Sequence, residues 1–273
     1  MSATLPSDLA SAVAAAEMRL GAFARIEHLA DVASTNDLAL ARAAAGAPHG
    51  TVIIADAQRA GRGRQGRAWH SPPEAGIYLS AILRSDMWPE SLSLVTMAAG
   101  VAAALGIRAA TGLDVELKWP NDVVIGRPWR KLAGILSESA STAGRLDAVV
   151  VGIGINVRAD AVPQHLDGRT TSIEIELGRA VDRAACTVEV LASLAEAADR
   201  LARGDRAWVV DLWRRFGRAG LGGATVRWDD ERGRHRGATT DIDDGGALLV
   251  ETSAGRIERI ISGEVIWERL DRD

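Results

Sequence analysis

Apolar positions along the chain recur at two periods, and the switches between them predict the elements. Leu9, Val13, Ala16 and Leu20 share one face of a helix over residues 7–20, with Ser7-Asp8 as its start signal. That helix is too short for a helix-turn-helix DNA-binding domain. Residues 23–29 alternate like a strand, and Ser34-Thr35-Asn36-Asp37 then offers N-cap side chains to a helix over 38–45. Residues 51–57 read as a buried strand, 58–74 as a loop, 77–83 as a strand, and 90–111 as a long apolar helix. The stretch 117–157 predicts an antiparallel meander. Its first strand is bent by Pro120 and Asn121-Asp122, strands follow at 123–126, 130–136 and 148–157, and the last two are joined by a turn around 141–145. Helices over 182–203 and 207–218 carry no evident site. Gly220 to Gly223 marks a hinge-like boundary. Beyond it, short strands at 224–228, 234–242, 247–252, 256–261 and 264–268 describe a small β-barrel. The pattern therefore predicts an α+β protein with a mixed, largely antiparallel sheet over residues 1–219 and a barrel over 220–273.

Composition narrows the class. With 47% hydrophobic and 25% charged residues, the chain has the make-up of a soluble globular protein. The net charge of −4 argues against nucleic-acid binding over the whole surface, so anion binding belongs to a local site. The single cysteine, Cys186, allows no internal disulfide, and the N-terminus lacks the features of a secretory signal, which points to the cytoplasm. The 17 uncharged residues between Glu90 and Arg108 are broken by serine, threonine and glycine and read as a buried helix rather than a membrane span.

The chemistry concentrates in Gly61-Arg62-Gly63-Arg64-Gln65-Gly66-Arg67, which closes on Ala68-Trp69. Its glycines let backbone approach a ligand, and its guanidiniums fork onto anionic oxygens. Cation usage adds a second clue, because only two of the 32 Lys+Arg residues are lysine, Lys118 and Lys131. A chain that otherwise uses arginine keeps a compact, flexible ammonium at two nearby places. Ser34-Thr35-Asn36, Gln58, Asn121-Asp122 and the glycine-containing run from Gly152 to Asn156 complete the polar set.

Taken together, the GRGRQGR and KWPND motifs at this spacing resemble a biotin protein ligase, in the form without an N-terminal DNA-binding domain. The likeness runs from about residue 23 to the C-terminus. It implies a class II synthetase-like catalytic domain followed by an SH3-like barrel. It also implies that ATP, with Mg²⁺, activates biotin to biotinyl-5′-AMP before transfer to a lysine of a biotin carboxyl carrier protein. By the same resemblance Ser34, Thr35, Gln58 and Gly152 meet biotin, and Gly61, Arg62, Gly63 and Arg64 belong to a loop that covers it and orders over the adenylate. Trp69 packs at the adenine, with Arg67, Lys131 and Asn156 on the nucleotide side. Lys118 bridges the biotin carboxylate and the α-phosphate, so Lys118 and Arg64 are the expected catalytic pair. No metal ligand is assigned, and dimerisation through an exposed sheet edge is compatible with the pattern.

Two other readings fit the same residues. A lipoate–protein ligase shares the acyl-adenylate logic, and a nucleic-acid-binding module would use the arginine–glycine loop.

Overall fold

The computed structural model describes residues 4–84, 93–142, 145–166, 168–231, 233–261 and 263–268. Its N-terminal segment is two helices, α1 (Ser7–Ala15) and α2 (Glu17–Leu20), broken at Ala16. Ser7 and Asp8 lie inside the first turn, and Pro6 is the N-cap with no side-chain bond. The expected apolar face is nonetheless buried at Leu9, Val13, Ala16 and Leu20. A 3-10 turn at Gly21–Ala24 takes up Phe23, so β1 (Ile26–Val32) begins later than the alternation suggested. Next come α3 (Thr35–Ala44), β2 (Val52–Gln58) and β3 (Gly76–Arg84). The long apolar helix, α4, is Val95–Thr111, and the expected start at Glu90 lies outside the described residues.

The meander follows as β4 (Glu116–Lys118), β5 (Asp122–Ile125), β6 (Arg130–Thr142) and β7 (Arg145–Asn156), all paired antiparallel. The main sheet runs β1-β2-β3-β7-β6-β5-β4, with β1 parallel to β2 and its other pairs antiparallel. Helices α5 (Ile173–Leu177), α6 (Arg183–Ala202), α7 (Arg206–Phe216) and α8 (Arg218–Leu221) complete this part.

One face of the sheet, carrying Leu79, Ala81, Val151 and Ile153, is buried in the main core with α4 and α6. Those helices approach closely, since a Cβ on Gly106 would lie 2.5 Å from Val190 Cα. The other face is covered by α3, which packs Ala39 and Ala43 on Ile53, Ile82 and Val150. This second core is small because α3 is short, and the uncovered remainder of that face forms the site.

After α8 the strands β8 (Thr225–Asp230), β9 (Gly233–Ile242), β10 (Leu248–Thr252), β11 (Ile257–Ile260) and β12 (Val265–Trp267) form a second sheet, ordered β11-β10-β9-β8-β12. Gly220 is no loose hinge. It lies in α8 against Trp129 and Trp267, where a Cβ would come within 2.9 Å of the Trp129 ring. The Trp119 indole donates to Gly246 O at 3.0 Å, so the KWPND turn and the second sheet are tied together. No helix among the described residues is long and apolar enough to cross a membrane.

Candidate active site

Three positions on the α3 face are glycine where the pattern would place a large side chain. Along β7 and β6 the inward row reads Val150, Gly152, Gly154 and Leu136, Gly134, in register with Ser80 and Tyr78 of β3. Removing side chains there opens a cleft of about 470 Å³, counting its open mouth. Neighbours occupy the vacated space. A Cβ at Gly154 would stand 2.6 Å from the Trp69 indole, and one at Gly152 would collide with Asn36.

The floor is polar and ordered. Ser34 caps α3, accepting from Asp37 N at 3.3 Å, which points the helix N-terminus at the cleft. Thr35 donates its amide to Gln58 Oε1 at 2.8 Å, with its hydroxyl 3.1 Å from the same oxygen, and Gln58 Nε2 donates to Ser71 Oγ at 2.9 Å. Ser80 donates to Asn36 Oδ1 at 2.6 Å and lies 2.8 Å from the Thr35 hydroxyl. Thr35, Asn36 and Ser80 are almost fully buried, so these partners offset a desolvation cost of about 1–3 kcal/mol per polar group.

The glycine–arginine loop is a tight hairpin over this floor. Arg62 bridges antiparallel to Ala68, Gly63 N donates to Arg67 O at 2.7 Å, and Trp69 N donates to Gly61 O at 2.8 Å. Gly61 is required, because a Cβ there would meet Trp69 O at 2.6 Å and Ser71 Oγ at 2.8 Å. The three guanidiniums expected to await an anion have different surroundings. Arg62 forks onto Glu138 and also reaches Asp37, and Arg67 pairs with Glu264 at the exposed rim. Arg64 makes no carboxylate ion pair among the described residues; it donates to Asn121 Oδ1 at 3.1 Å and Gly263 O at 3.3 Å. Burial pulls its pKa below the ordinary value. The chain after the hairpin is held by Gln58 N on Ser71 O and by the Tyr78 hydroxyl on Pro72 O.

The two lysines reach one sheet face by different routes. Lys131 lines the cleft, with Nζ 2.7 Å from Asp122 Oδ1 and 5.4 Å from the Trp69 ring. A bulge re-aims it: Ala133 faces Val123 while Lys131 faces Val124, so Leu132 is an extra residue and Lys131 turns toward the face of Gly134. Lys118 ends the edge strand β4 directly opposite Asp122, which is itself opposite Gly134, so it stands on the cleft face at the sheet edge, with its ammonium 5.7 Å from the Trp129 ring. Of the other expected residues, Ser34, Thr35, Gln58, Arg62, Gly63, Arg64, Trp69 and Gly152 line the cleft together. Gly61 and Arg67 belong to the hairpin without lining it. Asn156 is buried, donating to Thr171 O at 3.0 Å, and does not reach the cleft. Sequence reasoning missed Ser80 and Glu138. A serine in the apolar run of β3 and a carboxylate following Leu136 were the available signals.

Among the described residues no group of three or more His, Cys, Asp or Glu is placed to hold a metal ion. What the cleft offers is a hydrogen-bonding floor, an aromatic wall and two cations, Arg64 and Lys131. That set suits a small acid brought beside a nucleotide.

Comparison with known proteins agrees. The model of the Biotin/lipoate A/B protein ligase family matches residues 29–156, and that of the Biotin protein ligase C terminal domain matches residues 223–267. A biotin--[acetyl-CoA-carboxylase] ligase of Mycobacterium tuberculosis is 34% identical over 90% of this chain and 90% of its own length. The bifunctional ligase/repressor BirA of Bacillus spizizenii is 37% identical over 86% of this chain and 71% of its own. The solved structure of a biotin protein ligase from Aquifex aeolicus in complex with biotin and ATP superposes with a TM-score of 0.74 at 28% identity, covering 90% of this chain and 99% of the other. With a relative 34% identical over 90% of each chain, and a biotin protein ligase C-terminal domain following the biotin/lipoate ligase match, the chain belongs to the biotin protein ligase family.

Proposed function

We infer that the chain is an ATP-dependent biotin–[acetyl-CoA-carboxylase] ligase. The observation that carries this reading to its own residues is the glycine-cut cleft, where Lys131 and Arg64 stand between a polar floor and the Trp69 indole. We assign Ser34, Thr35, Gln58 and Gly152 to the biotin end and Trp69 to the adenine. We assign Lys118 to bridging the biotin carboxylate and the α-phosphate, with Lys131 assisting at the phosphates: Lys118 stands opposite Asp122 and Asp122 opposite Gly134 on the cleft face, and the bulge in β6 turns Lys131 to that same face.

The chemistry follows from charge. A biotin carboxylate oxygen attacks the α-phosphorus of ATP, the bond to the bridging oxygen breaks, and pyrophosphate leaves. Two anions must approach, and fixed cations in a site of reduced dielectric lower the cost. Mg²⁺ would accompany the triphosphate and screen its oxygens. In the second step the neutral amine of a carrier lysine attacks the acyl carbon, AMP leaves, and the amine gives up its proton. The hairpin over the floor keeps water from the anhydride in between.

The acceptor is a biotin carboxyl carrier protein and the setting is the cytoplasm. Residues before β1 pack on α6, with Arg19 donating to both Glu189 oxygens at 2.7 Å, so we assign them to the catalytic fold and propose no role on DNA. The outer strands β1 and β4 leave sheet edges through which a second copy would pair. Incubation with ATP, Mg²⁺ and either biotin or lipoate, followed by intact-mass measurement of a carrier domain, tests the assignment. Biotin should be added; preferential lipoate addition, or none, would overturn it.

A further inference from the structure

One carboxylate at the cleft is used by no step above. Glu138, on β6, accepts from Arg62 Nη1 at 2.9 Å and from Arg62 Nη2 at 2.8 Å, and its Oε2 also accepts from Asn36 Nδ2 at 2.8 Å. It is thus the shared acceptor of a residue on the hairpin and a residue in the floor. From Asn36 the bonds continue through Ser80 to the Thr35 hydroxyl, and through the Thr35 amide and Gln58 to Ser71, whose hydroxyl lies 3.2 Å from Trp69 O at the other end of the hairpin. The circuit therefore begins and ends on the same loop and passes beneath the cleft.

We propose that Glu138 is a positioning residue that fixes Arg62 and Asn36 together and so holds the 61–67 hairpin in register with the biotin end of the floor. Of the five N–H groups of a guanidinium, three are engaged here by Glu138 and Asp37, which leaves two to address a ligand. The fork onto Glu138 fixes the plane of that guanidinium, and with it the direction of the two remaining donors. Asn36 packs closely against β7, filling the space that a Cβ on Gly152 would take. Asp37 is the lesser partner: it is more than half exposed and touches Arg62 alone in this circuit, whereas Glu138 is only about a quarter exposed.

The proposal rests on the ligase reading for its kinetic consequence but not for its structural one, so the test has two arms. Glu138→Gln keeps the side-chain shape and an acceptor for Asn36 but removes the ionic fork; Glu138→Ala removes both. Tryptic cleavage at Arg62, Arg64 and Arg67, measured without substrates, should accelerate by about tenfold in Glu138→Gln and further in Glu138→Ala, as expected for losing a charge-assisted hydrogen bond. In adenylate formation the KM for biotin should rise by about tenfold while kcat stays within about threefold. Arg62→Ala placed on Glu138→Gln should cost little more than either change alone, the non-additivity of residues acting as one unit. Asp37→Asn should change both readouts by less than about threefold. Unchanged cleavage and KM in Glu138→Gln, additive losses with Arg62→Ala, or an equal effect of Asp37→Asn would each overturn the assignment. If Glu138→Ala fails to fold, the isosteric Glu138→Gln decides alone. Absence of biotin-dependent turnover in the wild type would refute the ligase reading while leaving the cleavage result to judge the circuit.

Discussion

The two faces of the seven-stranded sheet both depend on glycine, for opposite purposes. On the α4 and α6 face, Gly106 lets helix meet helix, and the missing Cβ is replaced by Val190 backbone. On the α3 face, Gly152 and Gly154 admit Asn36 and Trp69, side chains whose polar or aromatic groups line the cleft. Close approach at the first face fills a core, and at the second it furnishes a site. The same substitution should therefore damage stability on one side and chemistry on the other.

The largest effect should come from the cleft's lysines. Lys131→Ala should slow biotinyl-adenylate formation by roughly 10²–10³-fold, typical of removing a preorganised charge from a transition state, with the fold intact. Lys118→Ala should slow it at least as much, since Lys118 stands in the cross-strand row of Asp122 and Gly134 on the cleft face. Rapid-quench assays of the two variants test both assignments, and a wild-type rate in either folded variant would remove that lysine from the site.

Next in size is Gly106→Ala. Overpacking a tight helix contact costs about 1–3 kcal/mol, and in a chain of this size each kcal/mol lowers Tm by roughly 2–4 °C, a change readable by calorimetry. Adenylate formation at low temperature should survive. Gly154→Ala should do the reverse: Trp69 must move, the KM for ATP should rise by about tenfold (near 1.4 kcal/mol), and Tm should barely shift. A large fall in Tm with normal ATP use would contradict the division between faces.

The smallest effect tests the N-terminal segment. Hydrogen bonds from Arg19, aided by its charge and opposed by burial, hold the Glu189 pKa below its usual 4.5. A carboxylate depressed in the folded state contributes stability above its unfolded pKa, and loses it as pH falls through the lower folded value. Arg19→Ala should flatten the acid-side decline of stability below about pH 4.5 by under about 1 kcal/mol, because the pair is partly exposed. Urea titrations from pH 7 to 3 would show it; a mutant with the wild-type acid slope would not fit. Cys186, buried and with its pKa pushed up to about 12, should stay unreactive to thiol reagents in the same experiments.

Much of this architecture was legible because long periods survive local error. The helices over 182–203 and 207–218, the meander from 117 to 157 and the five short C-terminal strands all follow the apolar pattern. Phe23 misled it: a buried aromatic next to an alternating run looked like strand, although it packs from a 3-10 turn edge-on to His49. The site was legible as motifs, not as geometry. Scarcity singled out both lysines, but nothing in the spacing revealed that Leu132 would be the extra residue of a bulge and turn Lys131 inward. Glu138 was invisible for a related reason. Its importance lies in sharing one carboxylate between Arg62 and Asn36, residues 76 and 102 positions away in the chain.

The central claim is that the cleft on the α3 face activates biotin with Lys118 and Lys131 as its cations. Single-turnover formation of biotinyl-5′-AMP from biotin and Mg²⁺–ATP, compared among wild type, Lys131→Ala and Lys118→Ala, tests it most directly. The account predicts a rapid burst in the wild type and almost none in either lysine variant. A burst retained in folded Lys118→Ala would contradict it.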